Sequence, residues 1–334
     1  MQTEEAHRPM FRRRTLLAAP AALAAAPALA QGGAWPSRGP IRLISTFPPG
    51  GFADTMARLL AAELGPRIGQ SVVVENRVGA GGTIGAQAAA QAAPDGYTLV
   101  MSHSSPFGVA SGTYPNLPYN VVEDFTHLAL LAESANLLMV KGDSPIRTLA
   151  DYIALARRQS VRFGSSGVGS GTHLMGEYLS RLANLPNLEH IPYRGSAPAL
   201  QDLLAGRIES MFDPITTNTQ MIRDRQLHVL ALSTPNRIPA FPEIPTFAEQ
   251  GFPQLTNTTW AGLSAPKGLP AEIAARLTEA AVAAMATPAV AQRLEQLANY
   301  APNPPVTGAA YAAFIRDFAE RWGGLARQAG ITAS

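Results

Sequence analysis

The 334-residue chain contains no cysteine and only two lysines, Lys141 and Lys267. Without thiols there can be no disulfide, no cysteine nucleophile and no thiolate-bound metal. Neither lysine closes a glycine-rich loop in the Gly-Lys-Ser/Thr pattern that grips nucleotide phosphates. Histidine is sparse as well. The six lie at positions 7, 103, 127, 173, 190 and 228, and no two are three to five residues apart, so no helical metal-binding pair is present. An excess of one charge is also missing. Four of the 26 basic residues (Arg8, Arg12, Arg13, Arg14) and two of the 24 acidic ones (Glu4, Glu5) precede residue 31, which leaves 22 of each sign beyond it. A neutral body is a poor match for the basic face of a nucleic-acid binder. The longest early apolar run, 16–30, is too short and too rich in alanine for a membrane span.

That run has a different meaning. Arg12, Arg13 and Arg14 precede it, and it ends Ala28-Leu29-Ala30, the small-residue pattern of a signal-peptide cleavage site. Residues 1–30 therefore read as an export signal cut between Ala30 and Gln31. Arg13-Arg14-Thr15-Leu16-Leu17 resembles a twin-arginine signal, with an ordinary Sec signal as the alternative. No cysteine follows the cut, so no lipid-modified anchor is expected.

Beyond the signal, short β-type runs alternate with alanine-rich helical runs. Strands are predicted at 41–47, 72–75, 97–102, 137–140, 161–164, 189–192, 210–212, 229–232 and 260–265. Helices are predicted at 55–64, 84–92, 149–158, 173–182, 197–205, 271–286, 289–297 and 309–328. This alternation indicates an α/β fold with largely parallel sheets. Thr148 is placed to cap one helix and Gly206 to stop another. Tyr311, Phe314, Phe318 and Trp322 share a helical face that reads as core.

Three glycine-rich junctions join a strand to a helix: 48–54, 78–85 and 165–173. Ligands of open α/β sheets collect at such strand ends, where glycine lets backbone N–H groups approach an anion. In the first junction Gly50 and Gly51 are expected to leave N–H groups bare at a helix start, a setting that favours carboxylate or phosphate. The second fails G-x-G-x-x-G at its last position and reads equally as a tight turn. The third adds the hydroxyls of Ser166, Ser170 and Thr172, and lacks the G-x-S-x-G of a nucleophile elbow. Asp54 reads as a structural cap, since its charge would repel a ligand carboxylate. Asp213 reads either as an acceptor for a ligand amino or hydroxyl group or as a cap of the next turn. His173, at a helix start, reads as a neutral hydrogen-bonding residue.

These segments carry a resemblance. PIRLISTFPPGGFADTMAR at 40–58 is similar to the first strand, loop and helix of the solute receptors of tripartite tricarboxylate transporters, also called Bug receptors. VVENRVGAGG at 73–82, APDGYTL at 93–99, FGSSGVGSGTHL at 163–174, IPYRGSAPALQDLL at 191–204, MFD at 211–213, IPTFAEQG at 244–251 and WAGLSAP at 260–266 follow in the family's order. The likeness spans roughly residues 36–332. One departure is Phe52, where the family usually has a small residue.

The resemblance implies a type II periplasmic-binding-protein-like fold, two α/β lobes with a ligand cleft between them. The first lobe would comprise 31–134 and 257–334, and the second 135–256, with crossings near 133–136 and 253–258. It implies a periplasmic receptor that captures a small organic carboxylate without chemistry or cofactor and delivers it to membrane permease subunits. A monomer is expected. The candidate ligand contacts are Phe47, Pro49, Gly50, Gly51, Phe52, Ser104, Ser166, Gly169, Ser170, Thr172, His173, Tyr193, Gly195, Ser196, Asp213 and Trp260. No metal ligand is expected. The rival readings are a receptor that signals to a membrane kinase and an exported α/β hydrolase.

Overall fold

A computed structural model describes residues 35–333. The export signal and the Ala30–Gln31 cut lie outside the described residues. In chain order the elements are β1 (Ile41–Ser45), α1 (Phe52–Ile68), β2 (Val72–Asn76), α2 (Thr83–Ala90), β3 (Thr98–His103), α3 (Ala110–Thr113) and β4 (Phe125–Lys141). There follow α4 (Leu149–Arg158), β5 (Val161–Ser165), α5 (Gly171–Leu182), β6 (Leu188–Pro192), α6 (Ser196–Leu204), β7 (Ser210–Pro214), α7 (Thr219–Arg223) and β8 (Leu227–Leu232). The chain ends with β9 (Thr258–Pro266), α8 (Ala271–Met285), α9 (Pro288–Gln296), β10 (Asn299–Tyr300), α10 (Gly308–Phe318) and α11 (Gly324–Gln328).

The strands form a curled sheet that serves two lobes. In the first, β1 lies parallel between β2 and β3, and β9 runs antiparallel to β3 and β4. In the second, β5 lies parallel between β6 and β7, while β7 and β8 run antiparallel to β4. The sheet is thus mixed, not largely parallel. Only the βαβ crossovers are parallel. The two long strands β4 and β9 are antiparallel partners and bring the chain back through the middle.

Burial explains why β1 reads as a nearly unbroken apolar run. Ile41, Leu43 and Ile44 are fully covered, as a central strand with helices on both faces requires. Its covering helix α1 turns Phe52, Met56, Leu60 and Leu64 into the same core. In the second lobe Phe163, Phe212, Leu174 and Leu179 do the equivalent work. Strand β4 is 17 residues long, whereas only its last part was legible as a strand. Phe125 to Ala135 pair with β9 in one sheet, and Asn136 to Met139 pair with β7 in the other.

The last helix is not continuous. A wider π-type turn, Ala319–Gly323, separates α10 from α11. A Cβ at Gly112 would fall 1.9 Å from the carbonyl oxygen of Gly323, so the two backbones cross in contact here and glycine is required. Trp322 within the turn and Ala326 and Ile331 beyond it join the apolar core built on Leu138, Tyr152 and Phe163. Thr148 caps α4 reciprocally with Asp151, and Gly206 has φ +72° just past the end of α6.

Candidate functional site

The loop after β1, the loop before α5 and the loop before α6 meet around one cavity of about 210 Å³. Of the sixteen candidate contacts, Phe47, Pro49, Gly50, Gly51, Phe52, Ser104, Ser166, Thr172, Gly195 and Ser196 line it. Among the described residues no aspartate or glutamate lines the cavity, and Arg194 is the one formally charged side chain there. An anion entering it therefore meets no opposing carboxylate.

Two helices open into this space without a side-chain cap. Gly51 is the N-cap of α1 and Gly195 the N-cap of α6, and neither helix start is closed by a side chain. The N–H groups of a first turn have no carbonyl one turn back to receive them. Phe52 and Ala53 begin α1, Ser196 and Ala197 begin α6, and all four line the cavity. Both helix dipoles thus present their positive ends to it.

The donors are not the ones expected. The Gly50 N–H donates to Asp54 Oδ2 at 3.0 Å, and the Gly51 N–H reaches the Pro48 carbonyl at 3.4 Å. The carboxylate four residues on folds the loop back on itself, so the open donors lie one step further, within α1. Asp54 also accepts from Arg58 Nε at 2.9 Å and from Asn76 Nδ2 at 2.8 Å. Burial alone would raise its pKa, but these hydrogen bonds prevail and hold it below the usual carboxylate value.

In the second lobe Asp213, on β7, braces the start of α6 from a neighbouring strand and with different partners. It lies fully buried at the end of β7, outside the cavity lining. It accepts from the hydroxyls of Ser196 and Thr217 and from the Asn218 amide, with no cation among them. Desolvation raises its pKa to about 6 in spite of these hydrogen bonds. Its bond to Ser196 fixes the start of α6.

The remaining candidates sit behind the cavity wall. The Ser170 hydroxyl caps α5, accepting from the His173 N–H at 3.2 Å. The Gly169 N–H donates to His173 Nδ1. The His173 ring stacks on His190 at 3.9 Å between centroids, and burial lowers its pKa to about 4, so it is neutral. His190 Nε2 lies 2.6 Å from Ser165 Oγ, but Ser165 is fully buried and does not line the cavity. The Tyr193 hydroxyl donates to Asp202 and its ring faces an adjoining cavity. Trp260 is completely covered, edge-on to Tyr311, Phe314 and Phe318. Of the aromatic face expected to be core, Phe318 also borders the cavity.

Phe52 is both core and wall. Its ring is 4% exposed and packs in the first-lobe core, yet it borders the cavity. It stands 5.8 Å from the ring of His103, which also meets Phe47 at 4.9 Å. Burial pushes His103 down to about 3, so this imidazole is neutral and adds no charge.

Sequence reasoning missed Asn136, Arg194, Asn257 and Thr259, all of which line the cavity. Asn257 is 8% exposed and its Oδ1 has no partner among the described residues. A buried amide oxygen left open beside a cavity is suited to a ligand hydroxyl or a bound water. Asn136 and Asn257 fall within the crossings expected near 133–136 and 253–258, but nothing in the local sequence marked their side chains as facing the cavity. Arg194 lies inside the IPYRGSA segment, between the candidate contacts Tyr193 and Gly195.

A sequence model of the tripartite tricarboxylate transporter family receptors matches residues 56–331. BugT of Bordetella pertussis is 37% identical over 300 residues, covering 89% of this chain and 90% of that protein. Two solved structures superpose over nearly their whole length. MatC from Rhodopseudomonas palustris with bound malate has a TM-score of 0.82 and 32% identity, covering 87% of this chain and 99% of that one. R. palustris Rpa4515 with adipate has a TM-score of 0.82 and 30% identity, covering 90% of this chain and 100% of that one. With two α/β lobes around a cleft and this likeness along almost its whole length, the chain belongs to the tripartite tricarboxylate transporter receptor family.

Proposed function

We propose that the protein is a periplasmic solute receptor that holds a small organic carboxylate between its lobes. The observation that carries this reading is the pair of uncapped helix starts, α1 and α6, facing one cavity without a lining carboxylate. A helix end contributes ~0.3–2 kcal/mol to an anion's binding, and two ends add to the hydrogen bonds that their N–H groups make. Micromolar affinity needs about −8.2 kcal/mol, so exclusion of water as the lobes close has to supply a large share. Malate and adipate in the two R. palustris structures support the same ligand class.

The proposal extends to the architecture and the partners. The lobes divide at the strand crossings, 31–134 with 257–334 against 135–256, and the residues after Gly323 strap the first lobe to the second. The occupied receptor hands its ligand to the permease subunits of a tripartite transporter and acts as a monomer. Binding without turnover suits a cleft whose lining histidine, His103, is neutral and in which the hydrogen-bonded pair Ser165–His190 lies outside the lining.

A thermal-shift screen of mono-, di- and tricarboxylates tests the ligand class. A true ligand at 100 times its dissociation constant should stabilise the protein by about 2.7 kcal/mol. No stabilisation by any carboxylate would remove the reading. Export is proposed through residues 1–30, and the N-terminus of periplasmic material should be Gln31; any other start refutes that cut.

A further inference from the structure

His103 closes β3 on the cavity wall, beside two hydroxyls that also line it. Ser104 follows the strand, and Thr259 comes from β9, far away in the chain. All three side chains are buried. Three contacts join them in a row. The Ser105 N–H lies 3.2 Å from His103 Nδ1, His103 Nε2 lies 3.3 Å from Thr259 Oγ1, and Thr259 Oγ1 lies 2.8 Å from Ser104 Oγ.

One fixed donor sets the direction of the whole row. A backbone N–H can only donate, so Nδ1 has to be the bare nitrogen of a neutral imidazole. Burial lowers the His103 pKa to about 3, which keeps the ring neutral. Its single proton is then on Nε2, and that N–H donates to Thr259 Oγ1. Hydrogen bonds that run head to tail strengthen one another, so Thr259 donates onward to Ser104. There the row ends. Among the described residues the Ser104 hydroxyl proton has no acceptor, although Ser104 borders the cavity. The opposite tautomer would reverse each bond and turn lone pairs toward the cavity in place of a proton. The rings of Phe47 and Phe52 pack on the imidazole and hold it in this orientation.

We infer that His103 is a positioning residue, which through Thr259 makes the Ser104 hydroxyl a hydrogen-bond donor to an acid oxygen of the ligand. The inference rests on the carboxylate reading of the cavity. The imidazole N–H is spent on Thr259 and does not touch the ligand. Its effect is to aim and polarise a donor before the anion arrives, so little ordering remains to be done on binding.

Nitrogen-15 NMR of the ligand-free receptor tests the first half. At neutral pH the His103 ring should be neutral with its proton on Nε2. A proton on Nδ1, or a cation, would overturn the inference. This arm needs no variant, so it decides the matter even where a substitution prevents folding. Calorimetric titration with succinate, malate, adipate and citrate tests the second half. Ser104→Ala should weaken the acids that bind by about tenfold, as loss of a hydrogen bond to a charged group would. Thr259→Val keeps the side-chain shape and should weaken them about threefold in wild type, but less than about 1.5-fold in the Ser104→Ala background, because it acts only through Ser104. Additive losses, or no loss in Ser104→Ala, would overturn the relay and leave the carboxylate site standing. Failure of all four acids to bind wild type would overturn both readings.

Discussion

Helix starts in this protein fall into two kinds. Ser170 closes α5 and Thr148 closes α4, each with a side chain on the first-turn N–H groups. Glycine stands at the same position of α1 and α6, and there the N–H groups remain open. A missing cap costs a helix about 1 kcal/mol when alanine replaces a capping side chain, and less for glycine. The open starts of α1 and α6 both border the cleft, where a ligand can act as the cap, whereas α2, α8 and α10 also lack a side-chain cap but start outside its lining. Stability is given up locally where an acceptor from outside the chain can restore it.

The aspartates behind these starts sharpen the contrast. Asp54 braces the α1 loop from within an ion pair with Arg58, and Asp213 braces α6 with neutral donors only. The pKa of Asp54 is lowered on folding, so its contribution is present at neutral pH and fades as pH falls through the acid range. That of Asp213 is raised to about 6, so its contribution is full at acid pH and is lost as pH rises through about 6. Asp54→Asn and Asp213→Asn should therefore have opposite pH dependence. The first should cost on the order of 2 kcal/mol at pH 7 and progressively less as pH falls below the usual carboxylate range. The second should cost on the order of 2 kcal/mol near pH 4 and much less above pH 7. Chemical denaturation of both variants across this range decides it; parallel curves would mean the two braces are equivalent.

Closing an open start should exchange affinity for stability. Gly51 has an ordinary extended backbone, φ −77°, and a Cβ there would meet only the Pro48 carbonyl at 3.6 Å. Gly51→Asp should cap α1 and raise stability by a few tenths of a kcal/mol. It should also weaken carboxylate binding at least tenfold, because its own carboxylate occupies the donors. Retained affinity would mean that the α1 start does not touch the ligand. The smallest effect is expected at a start that is already closed. Ser170→Ala should lower stability by about 1 kcal/mol and leave affinity within a factor of three, since Ser170 lies behind the cavity wall. A large affinity loss there would move α5 into the binding machinery.

Much of this was written locally in the chain. Strand and helix cores were legible because β1 and α1 show apolar residues at the spacing of their own geometry. Thr148 and Gly206 announced their caps because the groups they satisfy lie within three or four residues. The glycine-rich junctions before α1 and α5, and the candidates Gly195 and Ser196 before α6, were legible as cleft loops for the same reason, and nine of the candidates on these three loops line the cavity. The first half of β4 was not legible: FTHLALLAES carries no turn signal, and its apolar residues do not say which partner strand will cover them.

By itself, then, the sequence determined what short-range sterics and periodicity control: the alternation of strands and helices, the glycines at helix starts, and the absence of thiol, lysine-loop and histidine-pair chemistry. Tertiary structure decided which groups those starts face. Trp260 is buried because α10 covers it, although its place at the re-entry of the chain suited a cleft residue equally well. Among the described residues the Asn257 amide oxygen is open and Arg194 makes no ion pair, because residues far away in the chain do not bring partners to them. Burial and charge pairing are sums over neighbours contributed by the whole fold, and no local window of sequence contains those neighbours.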